Sequence, residues 1–391
     1  MKDKSLLNKK HFILPVLIAG GIVLAWFACL AVGTKTGDDF RWYGFSDAFF
    51  RSRSEGGGVR EINAGGGVAD ANGGNDRTAV ISMVGDIMLA SGVGEVIEKK
   101  GPGYPWQGVR DILAGADVTL GNLECAVSGK KYEPVLGKQY TFLAQPEALA
   151  GVRDAGIDVL TLANNHILDF GVAAMADTLQ ILEDNGIVST GAGKDLLRAV
   201  SPVLIEKNGL RIGVLAFSYV FPQGWWVAGA GHPGLAGGYD YDLVYRLVQD
   251  LSARTDITVV SVHWGKELAD RPTEAQKKLA HNLVDRGADV VLGHHPHVLQ
   301  GLEIYNKGLI AYSLGNFIFT VSRDVRGRQS AILQADAGPG GITGARVIPA
   351  WIEYGFTVPA DEKKHTVIIQ RLQALSEPLG TAIDEKGEIA F

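Results

Sequence analysis

Two cysteines among 391 residues leave little scope for covalent cross-linking. Cys29 lies inside an apolar run and Cys125 far beyond it, so no disulfide between them is expected and the fold must rest on its core. Positive charge is in short supply as well: 37 Lys and Arg face 43 Asp and Glu, for a net charge of -6. That balance provides no basic footprint for a nucleic-acid backbone, and nucleic acid is excluded as an expected partner. Gly56-Gly57-Gly58, Gly65-Gly66-Gly67 and Gly73-Gly74 have no preceding strand pattern and no following Gly-Lys-Ser/Thr, which rules out a phosphate-binding loop there. No internal repeat is evident.

Charge is missing altogether from Phe12 to Thr34, and these 23 residues exceed the roughly 20 that cross a bilayer as a helix. Lys2, Lys4, Lys9 and Lys10 precede the run, while Lys35, Asp38, Asp39 and Arg41 follow it. The positive-inside bias then predicts a single-pass membrane anchor over 12–34, a cytoplasmic N-terminus over 1–11 and an extracytoplasmic main domain. A cleaved signal peptide is the alternative, but the stretch is longer than a usual h-region and no small-x-small site closes it. Trp26-Phe27-Ala28-Cys29 is a poor match to a lipoprotein box. Residues 35–77 read as a juxtamembrane segment and Gly-rich linker. Their aromatic residues, Phe40, Trp42 and Tyr43 among them, alternate with Arg41, Arg51 and Arg53, which suits either the headgroup level or a short helix packed on the domain.

From Thr78 onward the pattern becomes α/β. Short apolar runs over 79–84, 118–120, 159–162, 212–217, 257–262, 290–292 and 309–313 predict strands buried on both faces. Helical spacing occupies 171–185 and 241–254, and Thr273-Glu274-Ala275-Gln276 opens a further helix as a capping box that Gly287 can end. Beyond Ser330, 331–333 and 346–352 resemble closing strands and 366–376 a terminal helix.

The polar residues that stand out follow these strands: Asp86, Asn122 and Glu124, Asn164-Asn165-His166, His263-Trp264, the Gly293-His294-His295-Pro296-His297 cluster, and Asn316. In open α/β sheets the strand carboxyl ends share one crevice, so these distant positions are expected to meet. Asp, Glu, Asn and imidazole form an oxygen and nitrogen ligand set suited to Zn, Mn, Fe or Mg. Singly, each piece has a plainer reading: Asp86 as a helix cap, Asn165-His166 as a turn, His263 as a core histidine. Three histidines in four positions, stiffened by Pro296, favour a metal. Phe221 to Trp226 suits either a mobile substrate-facing loop or packing over the sheet, and Cys125 is given no part in the chemistry.

The motifs Val84-Gly85-Asp86-Ile87-Met88, Gly121-Asn122-Leu123-Glu124, Ala163-Asn164-Asn165-His166-Ile167-Leu168-Asp169, His263-Trp264-Gly265, His295-Pro296-His297 and Ser313-Leu314-Gly315-Asn316-Phe317 occur in that order. In this order they resemble the CapA-like capsule synthesis proteins, associated with poly-γ-glutamate capsule and related to calcineurin-like metallophosphoesterases. The likeness runs from residue 79 to about 320 and more weakly to about 355. It implies a metallophosphoesterase-like layered β-sandwich flanked by helices over 78–355, with a C-terminal extension over 356–391.

Carried over by position, the resemblance makes Asp86, Glu124, Asn165, His263, His295 and His297 ligands of a divalent metal. His166 would protonate a leaving group, Asn122, Asn164, Trp264 and Asn316 would contact substrate, and His294 would be a bystander. Metallophosphoesterases open with Asp-x-His, however, where this chain has Asp86-Ile87-Met88, and their bridging Asp is replaced around Asn122-Leu123-Glu124. The implied function is synthesis, export or processing of an anionic envelope polymer such as poly-γ-glutamate, alongside other membrane capsule-synthesis subunits. Two alternatives stay open: a non-catalytic export or tethering subunit, and a metallophosphodiesterase.

Overall fold

The computed structural model describes residues 61–63 and 77–391 apart from 322. The expected anchor and juxtamembrane aromatic residues lie outside them. Among the described residues no helix is long and apolar enough to cross a membrane.

Two large sheets carry the fold. In one, nine strands assemble, with the order Phe356–Pro359, Gly341–Glu353, Gln329–Gly338, Ala79–Ile87, Val118–Leu123, Val159–Thr161, Val188–Thr190 along its path; Asn316–Ile318 pairs with Ala79–Ile87 and Glu388–Ile389 with Gly341–Glu353. The other has seven, ordered Glu61–Asn63, Val203–Lys207, Leu210–Ser218, Ile257–His263, Val290–His294, Gly308–Ala311, Leu302–Tyr305. The site-bearing strands are parallel to their neighbours: Ala79–Ile87 to Val118–Leu123 in one sheet, Ile257–His263 to Val290–His294 in the other. Their polar ends therefore point the same way within each sheet.

One apolar cluster joins Ile81, Met83 and Leu120 of the first sheet to Val214, Val259 and Leu292 of the second, so the sheets face one another across a common core. A second cluster covers the outer face of the nine-stranded sheet, where Val84, Leu123 and Leu160 meet Val93, Leu149, Met175 and Leu182 of the flanking helices. Each such side chain, fully buried, contributes about 1.5–3 kcal/mol relative to exposure. The expected layered sandwich with outer helices is thus the architecture found. The helices Gly171–Asp184, Tyr241–Ser252 and Glu274–Asp285 form where the spacing predicts, and Thr273 and Gln276 close the predicted capping box.

The C-terminal residues are woven into this core. Phe356–Pro359 extends the nine-stranded sheet, and Ile368, Leu372, Ile383 and Ile389 join the intersheet cluster. Two glycines let the site's strands come close. A Cβ on Gly85 would lie 2.0 Å from the carbonyl oxygen of Gly315, and one on Gly293 would lie 2.0 Å from that of Tyr312.

Candidate metal centre

Asp86 lies within its strand, directly across from Asn122 in the parallel register, and both are buried. Asn122 donates from Nδ2 to Oδ1 of Asp86 over 2.9 Å and accepts at Oδ1 from Nδ2 of Asn164 over 3.0 Å. Asn164 completes the chain by accepting the backbone N–H groups of His166 and Ile167, each at 3.0 Å. An asparagine ladder therefore runs from the first strand end to the turn that carries His166.

The second sheet supplies the imidazoles. His263 and His294 pair as the last residues of adjacent strands, and the chain then turns through His295 and His297 at φ 95° and 59°. Non-glycine residues adopt this left-handed region at a cost, which the surrounding structure must offset. Here the offset is visible: the N–H of His295 donates to Oδ2 of Asp86 at 3.3 Å, and Nδ1 of His297 lies 2.9 Å from Oδ1 of Asn316. His294 faces Asp86 as well, Nδ1 to Oδ1 at 3.1 Å. His263 places Nε2 2.8 Å from Oδ1 of Asn165 and 3.5 Å from Oε1 of Glu124.

Burial and charge then set the protonation states. Burial alone would raise the Asp86 carboxyl, but hydrogen bonds and charge from His294 and His297 overcome it and hold the group well below the usual range. Burial, reinforced by the charge of Asp86, pushes Glu124 well above it. Burial and neighbouring imidazoles depress His263 strongly and bring His295 down to about 3. For His297 burial is outweighed by Glu124 and Asp86, which push it up to about 10.

Both carboxylate oxygens of Glu124, Nδ1 of His263, Nε2 of His294 and Nδ1 of His295 are buried without a hydrogen-bond partner among the described residues. Orphaned polar atoms cost on the order of 1–3 kcal/mol each, so the two Glu124 oxygens and the neighbouring His295 nitrogen call for a ligand. The ligating atoms of Glu124, His263 and His295 lie within 4.8 Å of one another, and so do those of Asp86, Glu124 and His297. Glu124 is common to both groups. The residues present fit a divalent metal.

His166 sits beside this cluster, with Nδ1 2.7 Å from Oδ2 of Asp169 and 3.2 Å from Nζ of Lys138. A carboxylate can only accept, so the shorter contact assigns the proton to Nδ1. Lys138 also donates to Asp169 and to the carbonyl of Asn165. Burial, with help from Lys138, lowers the His166 pKa against the opposing pull of Asp169.

The structure thus brings Asp86, Glu124, Asn165, His166, His263, His295, His297 and Asn316 into one cluster. It corrects other expectations. Trp264 is 1% exposed, stacks on Tyr312 and donates Nε1–H to the Tyr312 carbonyl, so it packs the core instead of meeting substrate. Asn122 and Asn164 are buried with their amides committed to the ladder, which makes them supports of the site. His294 is no bystander, since it shares the Asp86 carboxylate. Of the 221–226 loop, Trp226 is fully buried while Trp225 is 45% exposed. Sequence reasoning assigned no role to Asp169, Lys138 or Glu267. The i+3 spacing of Asp169 from His166 was a usable signal, whereas Lys138 comes from a loop with no pattern at all.

Fold and site together define an α/β protein whose two sheets converge, at their strand ends, on a candidate metal centre. The chain belongs to the family described as bacterial capsule synthesis protein PGA_cap, which matches residues 80–321. It is 34% identical to "Capsule biosynthesis protein CapA" of Bacillus anthracis over 71% of this chain and 69% of that one. "PGA biosynthesis protein CapA" of Bacillus subtilis is likewise 34% identical, over 76% of this chain and 78% of its own length. Among solved structures, the NAD nucleotidase of Haemophilus influenzae aligns with TM-score 0.39 and 13% identity, covering 76% of this chain and 63% of that one. This chain therefore spans less than two thirds of that nucleotidase.

Proposed function

We propose that this chain is a membrane-anchored, extracytoplasmic capsule protein that handles an anionic envelope polymer such as poly-γ-glutamate through a metal-dependent, hydrolase-like site. The observation that carries the metal-dependent part is Glu124: a fully buried carboxyl group with no hydrogen-bond partner on either oxygen among the described residues, facing His263 and His297 at 3.5 and 3.8 Å. The polymer comes from the relatives, whose names speak of capsule and PGA biosynthesis. The uncharged run over 12–34 supports the anchor.

Asp86, Glu124, Asn165, His263, His295 and His297 would hold the metal, which on binding lowers the pKa of a coordinated water and shields anionic charge on a substrate. Zn, Mn, Fe and Mg all suit the donors. Asn122 and Asn316 keep Asp86 and His297 aimed. His166, with its proton on Nδ1, accepts at Nε2 in its resting neutral form; once protonated there, it can pass that proton to a leaving group. Asp169 stabilises the charged ring in between.

A second reading, polymer gripping without turnover, is favoured by Met88. It stands where a metallophosphoesterase has a histidine ligand, and it is fully buried with Sδ accepting the Ala90 N–H at 3.3 Å. Elemental analysis of the full-length chain in detergent, beside a His295→Ala/His297→Ala variant, tests the metal reading. Bound metal is expected in the first and lost in the second; equal metal in both sinks the site. Incubation of the metal-loaded chain with poly-γ-glutamate then separates processing from gripping. A reporter fused after Phe391 should be active only outside the cytoplasm.

A further inference from the structure

Glu267 has no place in the motifs above, yet its carboxylate and the ligating nitrogens of His295 and His297 lie within 4.8 Å of one another. It is the solvent-exposed counterpart of Glu124, on the loop after His263. His295 groups with both acids, its ligating nitrogen lying within 4.8 Å of the ligating atoms of Glu124 and of Glu267, and its ring is 4.9 Å from that of His263 and 5.8 Å from that of His297. His295 is 5% exposed, and its buried Nδ1 has no hydrogen-bond partner among the described residues.

The loop that carries Glu267 is fastened to the histidine turn. Leu268, at φ 60°, donates its N–H to the Pro296 carbonyl over 2.8 Å, next to two histidines that are themselves in the left-handed region. Arg326 and Arg371 each donate to Oδ1 of Asp270 at 2.7 Å, and Gln300 donates to the Ala269 carbonyl at 2.8 Å. The Leu268–Pro296 bond thus joins the loop to a turn with two more non-glycine residues at positive φ, so the position of Glu267 relative to His295 and His297 is enforced.

We propose that Glu267 is an accessory, exchangeable carboxylate ligand: with His295 and His297 it holds a divalent cation on the solvent side of the centre, and an incoming anionic group displaces it. This rests on the metal reading of the same site. An exposed carboxylate suits exchange because its desolvation cost is small, whereas the enclosed Glu124 cannot leave. Glu267 thereby acts as an internal stand-in for the acidic substrate.

The test is calorimetric titration of the full-length chain with Mn²⁺, comparing wild type, Glu267→Gln, Glu267→Asp and His263→Ala. Glu267→Gln should weaken Mn²⁺ binding by about tenfold or remove one equivalent, Glu267→Asp should recover part of it, and the thermal midpoint without metal should not move. Inorganic phosphate should bind the Mn²⁺-loaded Glu267→Gln variant more tightly than the loaded wild type, since no carboxylate has to leave. Mn²⁺ binding by Glu267→Gln equal to wild type, while His263→Ala loses it, overturns this inference alone. A lowered metal-free midpoint in Glu267→Gln marks a structural role and also overturns it. No Mn²⁺ binding by the wild type removes the metal reading and this inference together.

Discussion

Nδ2 of Asn122 donates to Oδ1 of Asp86 across 2.9 Å, between the ends of two parallel strands and out of contact with solvent. The amide donates to a carboxylate that already has the Glu124 carboxyl close by, and so helps Asp86 stay ionised. Asn122→Asp would replace the donor with a like charge, and one of the two acids would have to take up a proton. We expect the metal-free thermal midpoint to fall by several degrees, for a cost of about 3–5 kcal/mol, with a divalent metal restoring most of the loss. Scanning calorimetry with and without Mn²⁺ reads this directly. An unchanged metal-free midpoint would show that the amide does not matter for Asp86.

Lys138 is 11% exposed and donates to Asp169 and the Asn165 carbonyl, so it ties the loop over 130–140 to the turn that bears His166. Its positive charge is one of the forces that depress His166. Lys138→Met keeps the stem and removes the charge, so the His166 pKa should rise toward its ordinary value. Chemical-shift titration of the His166 ring follows it, and stability should drop by about 1–3 kcal/mol as Asp169 loses a buried partner. A His166 titration that does not move would deny the coupling.

These two residues also mark how far the sequence could be read. Asp86 and Asn122 were visible because polar residues at the end of apolar strands break a pattern, and parallel strands bring such breaks together. Asp86, Asn122, His263 and His294 turned out to lie within the strands, since a ladder can continue through a polar residue that finds a partner. Trp264 misled for the opposite reason: it shares the motif with His263, but it lies one residue beyond the strand end, where its ring is buried against Tyr312. Lys138 was illegible because its partners are 27 to 31 residues away and only the fold brings them near.

Gly85→Ala tests whether the strand crossing at the site is as close as it must be for Asp86 to meet Asn316. The added Cβ would meet the Gly315 carbonyl, a backbone atom that cannot swing aside. The 315–316 segment would have to shift, carrying Asn316 from Nδ1 of His297. Stability should fall by about 1–3 kcal/mol from overpacking and metal affinity should fall with it. Gly224→Ala, where a Cβ meets nothing within 4 Å, is the matched control. Equal denaturant midpoints for the two variants would contradict the crossing.

Far from the metal centre, Asp289 accepts the N–H of Thr258 at 2.7 Å, and burial outweighs that hydrogen bond to push its carboxyl up from 3.8 to about 6. An acid whose folded pKa is raised holds its proton more firmly when folded than when unfolded. Its contribution to stability is therefore complete below the unfolded pKa and declines as pH rises through about 6. Between pH 4, where the unfolded acid is already partly ionised, and pH 7, a shift of this size corresponds to roughly 2 kcal/mol. Asn at this position cannot ionise but can still accept from Thr258. The stability of wild type minus that of Asp289→Asn should fall by roughly that amount over the interval. Thermal midpoints of both proteins, measured at matched ionic strength at each pH, give the difference with all other titrating groups cancelled. A difference that stays flat from pH 4 to pH 7 would mean that Asp289 titrates as an ordinary surface carboxylate, and that burial does not raise its pKa in solution.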